Sequence, residues 1–358
     1  MANGPAGAGG YRGPAMTDVA RLAGLSHQTV SRVINNHANV RPTTRVRVLA
    51  AIEELGYRRN SAARTLVTGR SQTLGVVSLN STLYGPASTL YGIEQAALDS
   101  HYFVTVATLR STDRAAVQQA IGRLVDQGVD GIVVIAPLES VAEALADLPA
   151  GLPVVAVEGD ADAEIDTVTV DQRAGARAAV EHLLSKGHQT VWHVAGPPDW
   201  FEARHRSAGW QTTLEDAGAE VPPPLSGDWS PRSGFEAGRV LARMPDVTAV
   251  FAANDSMALG VLRALHDYGR DVPGDVSLIG FDDIPEVAYL TPRLTTVRQD
   301  FAEVGRRGLA LLVEQIEAGV DEARRVVVGT TLIVRDSTRE IARPASACRR
   351  GSASAGGQ

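Results

Sequence analysis

Apolar positions between residues 15 and 57 recur three and four residues apart, which is the spacing of one face of a helix. The pattern predicts three short helices: over Asp18–Ala23, over His27–Asn35 and over a segment that begins at Pro42. Ser26 is a favourable N-cap for the second helix, and proline suits the first turn of the third. Three consecutive helices with a short turn between the first two describe a helix-turn-helix unit.

The second of these helices has a polar outward face, because Val30, Val33 and Ile34 should point to the core. A recognition helix reads base edges with its N-terminal residues, where glutamine can pair with adenine and arginine can hold guanine at two atoms. Hydroxyl and amide side chains can hold phosphates. We therefore expect DNA contacts from seven residues: Ser26, His27, Gln28, Thr29, Ser31, Arg32 and Asn35. An ordinary solvated helix face is the alternative interpretation.

The third helix follows the same rule of spacing. Four of its apolar residues are expected to point inward: Val46, Leu49, Ile52 and Leu55.

From residue 74 onward the pattern changes to short apolar runs separated by amphipathic segments. The runs that predict strands are 74–79, 103–109, 131–137, 153–159, 191–196, 249–255 and 276–283. Thr112–Gln127 and Asp171–Lys186 are typical of the intervening helices, and Leu294–Phe301 and Arg325–Asp336 extend the strand pattern. Alternating strands and helices indicate parallel α/β sheets, and the segment is long enough for two lobes. The predicted fold is therefore α/β, preceded by a three-helix head.

The charge of the chain is unevenly distributed. A net charge of -7 argues against a nucleic-acid partner, but the first 70 residues contain ten arginines and three acidic residues. The head therefore carries +7 and the remainder -14. A basic head on an acidic body predicts that the head binds a polyanion, with a solvated charged face as the alternative.

The body contains no recognisable catalytic or nucleotide-binding signature. G-x-x-x-x-G-K-[ST], H-E-x-x-H and G-x-S-x-G are all absent from the 358 residues, and the eight histidines are scattered. The single cysteine, Cys348, can form neither an internal disulfide nor a cysteine-based metal site. Asp282 and Asp283 are neighbours on a predicted strand and should point to opposite faces. We expect no enzymatic activity, no metal and no cofactor.

Both ends of the chain are rich in small residues and lack periodicity. Residues 1–14 and 338–358 are therefore predicted to be disordered. The chain has no apolar run long enough to span a membrane, and its start does not resemble a secretory signal. We expect a cytoplasmic protein that associates with the nucleoid when it is bound to DNA.

Two segments near the N-terminus, TDVARLAGLSHQTVSRVINN and LAAIEELGYRRNSAARTLVTGRS, resemble the head and hinge of the lactose-repressor (LacI/GalR) family of bacterial transcription regulators. Further motifs follow in the order of that family and resemble its sensor core: GHQTVWHVAGP, ARHRSAGW, GDWSPRSGFEAG, AANDSMALG, GFDDIPE and LTTVRQDF. The resemblance continues to about residue 337. It implies a two-lobed body like that of the periplasmic binding proteins.

The resemblance also implies a hinge at Asn60–Leu66. In the family this segment becomes helical on operator DNA, and contacts are implied for Asn60, Ala63 and Leu66, with the leucine wedged into the central base step. The residues are compatible with this role, because so short a helix is marginal alone and an apolar wedge can open a base step. A plain linker helix is the alternative.

An effector site is implied by the same family motifs. They place hydrogen bonds to the effector at Arg206, Asn254 and Asp282, whose groups match the donors and acceptors of sugar hydroxyls. Trp229 matches an aromatic residue that packs on the sugar, and three weaker candidates match by position alone: Glu158, Gln299 and Phe301. Asp282 could instead cap a helix and Trp229 could belong to the core, to which we assign Trp210.

Together these features predict a repressor that binds a near-palindromic operator as a homodimer and is released by a small sugar in the cleft between the lobes. The tail has no leucine heptad and contains Pro344, so an assembly larger than a dimer is not expected. The predicted boundaries are 15–59 for the head, 60–72 for the hinge and 73–337 for the body. The alternatives are a non-sugar effector or purine-like corepressor, a sugar-binding transport protein, and an enzyme that uses Asp282.

Overall fold

The computed structural model describes residues 14–35, 37–57, 69–79, 82–135, 137–145, 151–159, 165–319 and 322–341. It forms two compact units that divide between Ser71 and Gln72. The predicted boundary between hinge and body, after residue 72, lies one residue further along the chain.

The first unit is the predicted helix-turn-helix. Its helices are α1 (Met16–Ala23), α2 (His27–Ile34) and α3 (Pro42–Leu55). α1 ends at Gly24, whose left-handed backbone (φ 62°) favours glycine. Ser26 caps α2 as predicted, since its Oγ accepts the backbone N–H of Thr29 at 3.2 Å. The two sequence signals for a turn, a glycine and an N-cap serine, therefore mark the end of the first helix and the start of the second.

The buried face of α3 differs from the prediction. Val46 and Leu49 are 67% and 53% exposed, whereas Val48 and Ala51 are buried. Ile52 and Leu55, also predicted to point inward, are partly buried against this core. α3 has apolar residues on more than one face. One set at helical spacing contains Val46 and Leu49, the other contains Val48 and Ala51, and both include Ile52 and Leu55. The set that contains Val48 and Ala51 is the one that meets α1 and α2.

The second unit alternates strands and helices, as predicted. Its strands are β1 (Thr73–Ser78), β2 (Phe103–Thr108), β3 (Gly131–Ile135), β4 (Val154–Val157), β5 (Asp166–Val170), β6 (Trp192–Ala195), β7 (Leu225–Ser226), β8 (Ala249–Ala252), β9 (Ser277–Asp282), β10 (Thr295–Gln299), β11 (Arg325–Val328) and β12 (Thr330–Ile333). Its helices are α4 (Tyr84–Asp99), α5 (Arg114–Asp126), α6 (Glu139–Leu145), α7 (Gln172–Ser185), α8 (Phe201–Asp216), α9 (Pro231–Leu241), α10 (Asp255–Asp267) and α11 (Phe301–Ala318), with a 3₁₀ turn at Pro285–Tyr289.

The strands form two six-stranded sheets, one in each lobe. The sheet of lobe 1 has the order β11-β5-β4-β3-β1-β2, and all its pairs are parallel. The sheet of lobe 2 has the order β12-β10-β9-β8-β6-β7, in which the β10–β12 pair is antiparallel. The predicted parallel sheets are thus present, with one antiparallel edge. Central strands such as β3 and β8 are buried along their whole length, which explains their continuous apolar runs.

Within the described residues, the chain passes between the lobes three times. It leaves lobe 1 after β5, returns after β10 and crosses once more at Gly329, between β11 and β12. α11 packs on lobe 1, where Val304 and Leu312 join its core, and α7 packs on lobe 2 through Val180 and Leu183. Residues at the ends of β5 and β10 therefore lie where the two lobes meet.

Residues 338–341 are attached to lobe 2, although the tail was predicted to begin at 338. The backbone N–H of Arg339 donates to Ser277 Oγ at 3.1 Å, and that of Ile341 donates to the Lys186 carbonyl at 2.9 Å. Thr338 Oγ1 lies 3.0 Å from His182 Nε2. These bonds supply partners that composition alone does not reveal.

Candidate functional site

The first candidate surface is the outward face of α2. Val30 and Val33 are buried, and the polar residues predicted to contact DNA lie on the opposite, solvent-facing side. Ser26, His27, Gln28, Arg32 and Asn35 are exposed, whereas Thr29 and Ser31 are partly exposed. The predicted hinge residues Asn60, Ala63 and Leu66 lie outside the described residues.

Four of these polar side chains also form hydrogen bonds with each other, in two pairs that stabilise α2 itself. Thr29 Oγ1 lies 2.9 Å from Ser26 Oγ, and Asn35 Nδ2 donates to Ser31 Oγ at 3.3 Å. His27, Gln28 and Arg32 have no such local hydrogen bond among the described residues. The three side chains suited to base edges are thus not engaged in the hydrogen bonds that stabilise α2.

The second candidate site is a cavity of about 670 Å³ between the two lobes. This volume suits a small ligand. All seven residues predicted to bind the effector line it: Glu158, Arg206, Trp229, Asn254, Asp282, Gln299 and Phe301. They come from both lobes, since Glu158 follows β4, Phe301 begins α11 at the crossing after β10, and the rest lie on or beside elements of lobe 2.

Arg206 occupies the centre of the polar part of the cavity. Its Nε donates to Gln172 Oε1 at 2.8 Å, its Nη1 donates to the Ala253 carbonyl, and Asp282 Oδ1 lies 3.5 Å from Nη1. The guanidinium also lies over the Phe281 ring, 3.9 Å from its centroid. None of these bonds uses Nη2, which is therefore the part of the guanidinium available to a ligand.

Asp282, Gln299 and Gln172 form a hydrogen-bonded chain behind the cavity. Gln299 Nε2 donates to Asp282 Oδ1 at 2.6 Å, and Gln172 Nε2 donates to Gln299 Oε1 at 2.8 Å. Burial raises the pKa of Asp282 to about 6, although Arg206 opposes the rise. Asp282 caps no helix, because the 3₁₀ turn that follows begins after Ile284 without a side-chain cap. The chain of bonds fixes the carboxylate in place.

Asp283, which follows the last residue of β9, is paired with two arginines. It accepts hydrogen bonds from Arg298 Nε at 2.7 Å and from Arg335 Nη2 at 2.5 Å. The two neighbouring aspartates therefore have separate partners. β9 ends at Asp282, and the φ angles of Asp282 and Asp283 are 108° and 56°, so the alternation of strand residues used above is not the reason.

Asn254 makes two hydrogen bonds within the protein. Its Oδ1 accepts the Met257 N–H at 2.8 Å as the N-cap of α10, and its Nδ2 donates to the Trp229 carbonyl at 3.2 Å. The side chain lines the cavity and at the same time holds the backbone of the tryptophan. A contact with an effector would have to be made alongside these two bonds.

Three lining residues have left-handed backbone conformations that are unusual for non-glycine residues. The φ angles of Glu158, Trp229 and Asp282 are 63°, 69° and 108°. Such strain persists only where the surrounding structure imposes it, and it is concentrated at functional sites. Here it directs three side chains of different elements into one cavity.

Aromatic side chains form two pairs in the walls of the cavity. Trp200 meets Trp229 and Tyr84 meets Phe301, each edge to face with ring centroids 5.8 Å apart. Such surfaces suit the apolar faces of sugar rings. Trp229 is thus both largely buried and part of the cavity wall, whereas Trp210 is a core residue that donates from Nε1 to the Val191 carbonyl at 2.8 Å.

Comparison with known proteins shows the family to which the chain belongs. A model described as "Bacterial regulatory proteins, lacI family" matches residues 15–60, and a "Periplasmic binding protein-like domain" matches residues 180–338. The chain is 37% identical over 342 residues to the HTH-type transcriptional regulator CelR of Thermobifida fusca, covering 91% of this chain and 98% of that protein. The chain belongs to the LacI family.

Further relatives agree with this membership. The Lactose operon repressor of Escherichia coli (strain K12) is 32% identical over 90% of this LacI-family chain and 89% of its own length. A solved Lac repressor dimer bound to operator and the anti-inducer ONPF has a TM-score of 0.83 at 31% identity, covering 92% of this chain and all of that one. A CelR–cellobiose complex has a TM-score of 0.68 at 34% identity, covering 90% and 99%.

Two absences hold for the described part of this LacI-family protein. No described helix combines the length and apolar character needed to cross a membrane. Within the same residues, no three histidine, cysteine, aspartate or glutamate side chains are grouped so that they could hold a metal ion.

Trp200, Glu202 and Tyr84 are among the residues of the cavity wall that the sequence did not indicate. For Glu202 a signal was present, because it precedes Arg206 by four residues on α8 and therefore shares its helix face. Trp200 is the N-cap residue of the same helix. Tyr84 begins α4 in lobe 1 and had no comparable signal.

Gly196 controls the position of Trp229. A Cβ atom added at Gly196 would lie 2.3 Å from the indole ring. We expect Gly196→Ala to displace the ring, to lower stability by about 1–3 kcal/mol and to weaken sugar binding about tenfold. Tryptophan fluorescence and calorimetric titration measure the two effects. Gly122→Ala in α5, where an added Cβ meets no atom within 4 Å, is the matched control. Unchanged fluorescence and affinity in Gly196→Ala would contradict this role.

Proposed function

We propose that this protein is a transcriptional repressor whose operator binding is released by an unphosphorylated sugar in the cavity between the lobes. The observation that carries the proposal is the meeting of all seven predicted effector residues on one cavity. Hydrogen-bonding groups occupy one part of it and two aromatic pairs form its walls, which is the combination that sugar recognition requires. Among the relatives, CelR has been solved with cellobiose.

The head is proposed to read one half of a near-palindromic operator. α2 would enter the major groove, where His27, Gln28 and Arg32 would reach base edges and the hydroxyl-bearing residues would position the phosphates. We also propose that residues 60–72 act as the hinge, with Asn60, Ala63 and Leu66 in the minor groove. A sugar that changes the relation between the lobes would then alter whether two hinges can bind together.

A homodimer is required for a two-fold symmetric operator. An apolar surface that could support it lies at the edge of lobe 1. Phe103 on the edge strand β2 is 74% exposed, and Leu98 and Tyr91 on α4 are also exposed. An uncovered apolar edge of this kind is costly in a monomer, so its burial against a second copy stabilises the dimer.

We further propose that the protein acts in the cytoplasm without a catalytic step. Among the described residues, two carboxyl groups of the cavity accept hydrogen bonds from neighbouring side chains, Glu158 from Thr89 and Asp282 from Gln299, which suits a binding role. A purine-like corepressor remains the competing effector, and it is distinguished from a sugar by the experiment below.

A thermal-shift screen of the purified protein tests the effector class. The panel contains monosaccharides, disaccharides including cellobiose, sugar phosphates and purines. A ligand present at about 100 times its Kd should stabilise the protein by roughly 2.7 kcal/mol. Stabilisation by an unphosphorylated sugar supports the proposal, whereas stabilisation by a purine or a sugar phosphate alone contradicts it.

The direction of regulation needs a second measurement. Operator sequences are first selected from random duplexes by the full-length protein, and the sugar is then titrated into the protein–operator complex in a gel-shift assay. We expect release of the DNA. Tighter DNA binding would mean that the sugar acts as a corepressor.

A further inference from the structure

Two arginines of α3 are hydrogen-bonded to the backbone on either side of α2. Arg47 Nη2 donates to the carbonyl of Ala23, the last residue of α1, at 2.6 Å. Arg45 Nη2 donates to the carbonyl of His37, in the loop after α2, at 3.2 Å. α3 is thus connected to the chain shortly before and shortly after the helix that carries the predicted base contacts.

The Arg47 bond supplies a partner for the end of α1. The final carbonyls of a helix have no partner within it, and the Ala23 carbonyl is one of them. A guanidinium also has the charge that the C-terminal end of the helix dipole favours. The group lies close to the turn, because a Cβ atom added at Gly24 would be 3.1 Å from Arg47 Nη2. Arg47 therefore holds the point at which the chain turns from α1 towards α2.

The Arg45 bond reaches the other end of α2 through the backbone of His37. The His37 N–H donates to the Arg32 carbonyl at 2.9 Å, while the His37 carbonyl accepts the bond from Arg45. Arg32 is the residue of α2 that is expected to hold guanine at two atoms. Two consecutive hydrogen bonds thus connect Arg45 on α3 to the backbone of that residue.

α2 has few buried side chains that could fix its orientation. Among its eight residues, only Val30 and Val33 are buried. Apolar contacts hold the helix against the core, but they are not directional and constrain its tilt only weakly. Hydrogen bonds have preferred distances and angles, so bonds at both ends restrict that tilt. Base contacts need such accuracy, because a bidentate pair forms only when two atoms are in place together.

We propose that Arg45 and Arg47 are positioning residues, which hold α2 in the orientation that brings its polar face to the base edges and which bind no phosphate themselves. The inference rests on the base-reading role proposed above for α2. It gives two of the ten arginines in the first 70 residues a role other than general attraction to a polyanion. α3 then contributes to sequence preference without touching a base.

Methionine at either position removes the donor groups and keeps an unbranched apolar stem. We expect Arg45→Met and Arg47→Met each to lower the preference of the full-length protein for operator over random DNA about tenfold, measured as the ratio of the two Kd values at one salt concentration. The salt dependence of binding to random DNA should stay close to that of wild type, because no phosphate contact is lost. Arg41→Met, which removes an exposed arginine at the start of α3, should leave the ratio unchanged.

A double-mutant cycle tests the connection from Arg45 to Arg32. If Arg45 acts through α2, Arg45→Met should change the ratio much less in an Arg32→Ala background than in wild type. Equal changes in the two backgrounds contradict that connection. Arg47→Lys retains a donor for the Ala23 carbonyl and should recover most of the preference. A general loss of folded protein weakens binding to both DNAs by the same factor, so it does not alter the ratio.

The possible outcomes distinguish positioning from direct contact. A wild-type ratio in both methionine variants overturns the proposal. If the salt slope for random DNA also falls by about 1 per head, the two arginines bind phosphates instead. A wild-type ratio in Arg32→Ala alone contradicts the base-reading role of Arg32, which is a failure of the proposed function of α2 rather than of the bonds from α3.

Discussion

Arg206→Ala is expected to abolish the response to sugar while leaving operator binding intact. The guanidinium is buried and holds Gln172, the Ala253 carbonyl and Asp282, so its removal leaves a cluster of carboxyl groups without their cation. Breaking such a buried pair costs about 3–5 kcal/mol of folding stability. Loss of the charged donor to the sugar separately costs about 1.5–3 kcal/mol of binding free energy, which corresponds to about 10- to 100-fold weaker sugar binding. The variant should therefore repress in the presence of sugar. Calorimetric titration measures the affinity, and gel shift measures the DNA complex.

Two further variants distinguish the effect of the positive charge of Arg206 from that of its planar guanidinium, and a specific loss of sugar binding from a general effect of removing an arginine. Arg206→Lys keeps a positive charge but lacks the planar fork, so we expect at least about tenfold weaker sugar binding with a smaller loss of stability. Arg204→Ala removes an arginine two residues earlier that is exposed and paired with Glu139 at 3.1 Å. Surface pairs contribute about 0–1 kcal/mol, so this control should bind sugar normally. Sugar binding by Arg206→Lys at wild-type affinity would show that the guanidinium geometry is not used.

Arg32→Ala is expected to reduce the preference for operator over random DNA. Arg32 lies on the exposed face of α2, opposite the buried Val30 and Val33. An arginine that holds guanine at two atoms contributes about 1–3 kcal/mol of discrimination per half-site. The measurement is the ratio of the two Kd values at one fixed salt concentration, because phosphate contacts depend strongly on salt.

Arg21→Ala provides the contrast. Arg21 is exposed on α1 and paired with Asp18 at 3.1 Å, and the first helix of this motif crosses the DNA backbone. Its loss should weaken binding to all sequences about equally and leave the ratio unchanged. A ratio that stays constant in Arg32→Ala as well would assign Arg32 to the phosphates.

The helical head was largely predictable because its signals are local. The N-cap at Ser26, the glycine at the end of α1 and the proline at the start of α3 each act within one turn. The buried face of α3 was not predictable from spacing, since apolar residues occupy more than one of its faces. Only contact with α1 and α2 decides that Val48 rather than Val46 is buried.

In the body, the spacing of apolar residues does not predict every strand. Two strands, β5 and β7, were not predicted: β5 alternates polar residues with its valines, and β7 has only two residues. Both exist because neighbouring strands supply their hydrogen bonds, β4 and β11 for the first and β6 for the second. Such strands are set by tertiary structure rather than by their own sequence.

The cavity could not have been assembled from local pattern alone. Its residues extend along the chain from Thr82 to Phe301 and meet because the chain crosses between the lobes. The family resemblance suggested which residues to combine, but it did not indicate Glu202, nor the two internal hydrogen bonds of Asn254. Those features depend on the side chains that surround each residue in the fold.

The two units also differ in how easily they can be exchanged between proteins. The first unit, which contains the head, is one continuous segment that ends at Ser71, whereas each lobe is assembled from segments separated along the chain. A chimaera that replaces the residues before Gln72 should therefore acquire a new operator preference through a single junction. Exchange of one lobe would need several junctions. New sensors built on this protein should thus change ligand preference by point substitution in the cavity and DNA preference by transplanting the head.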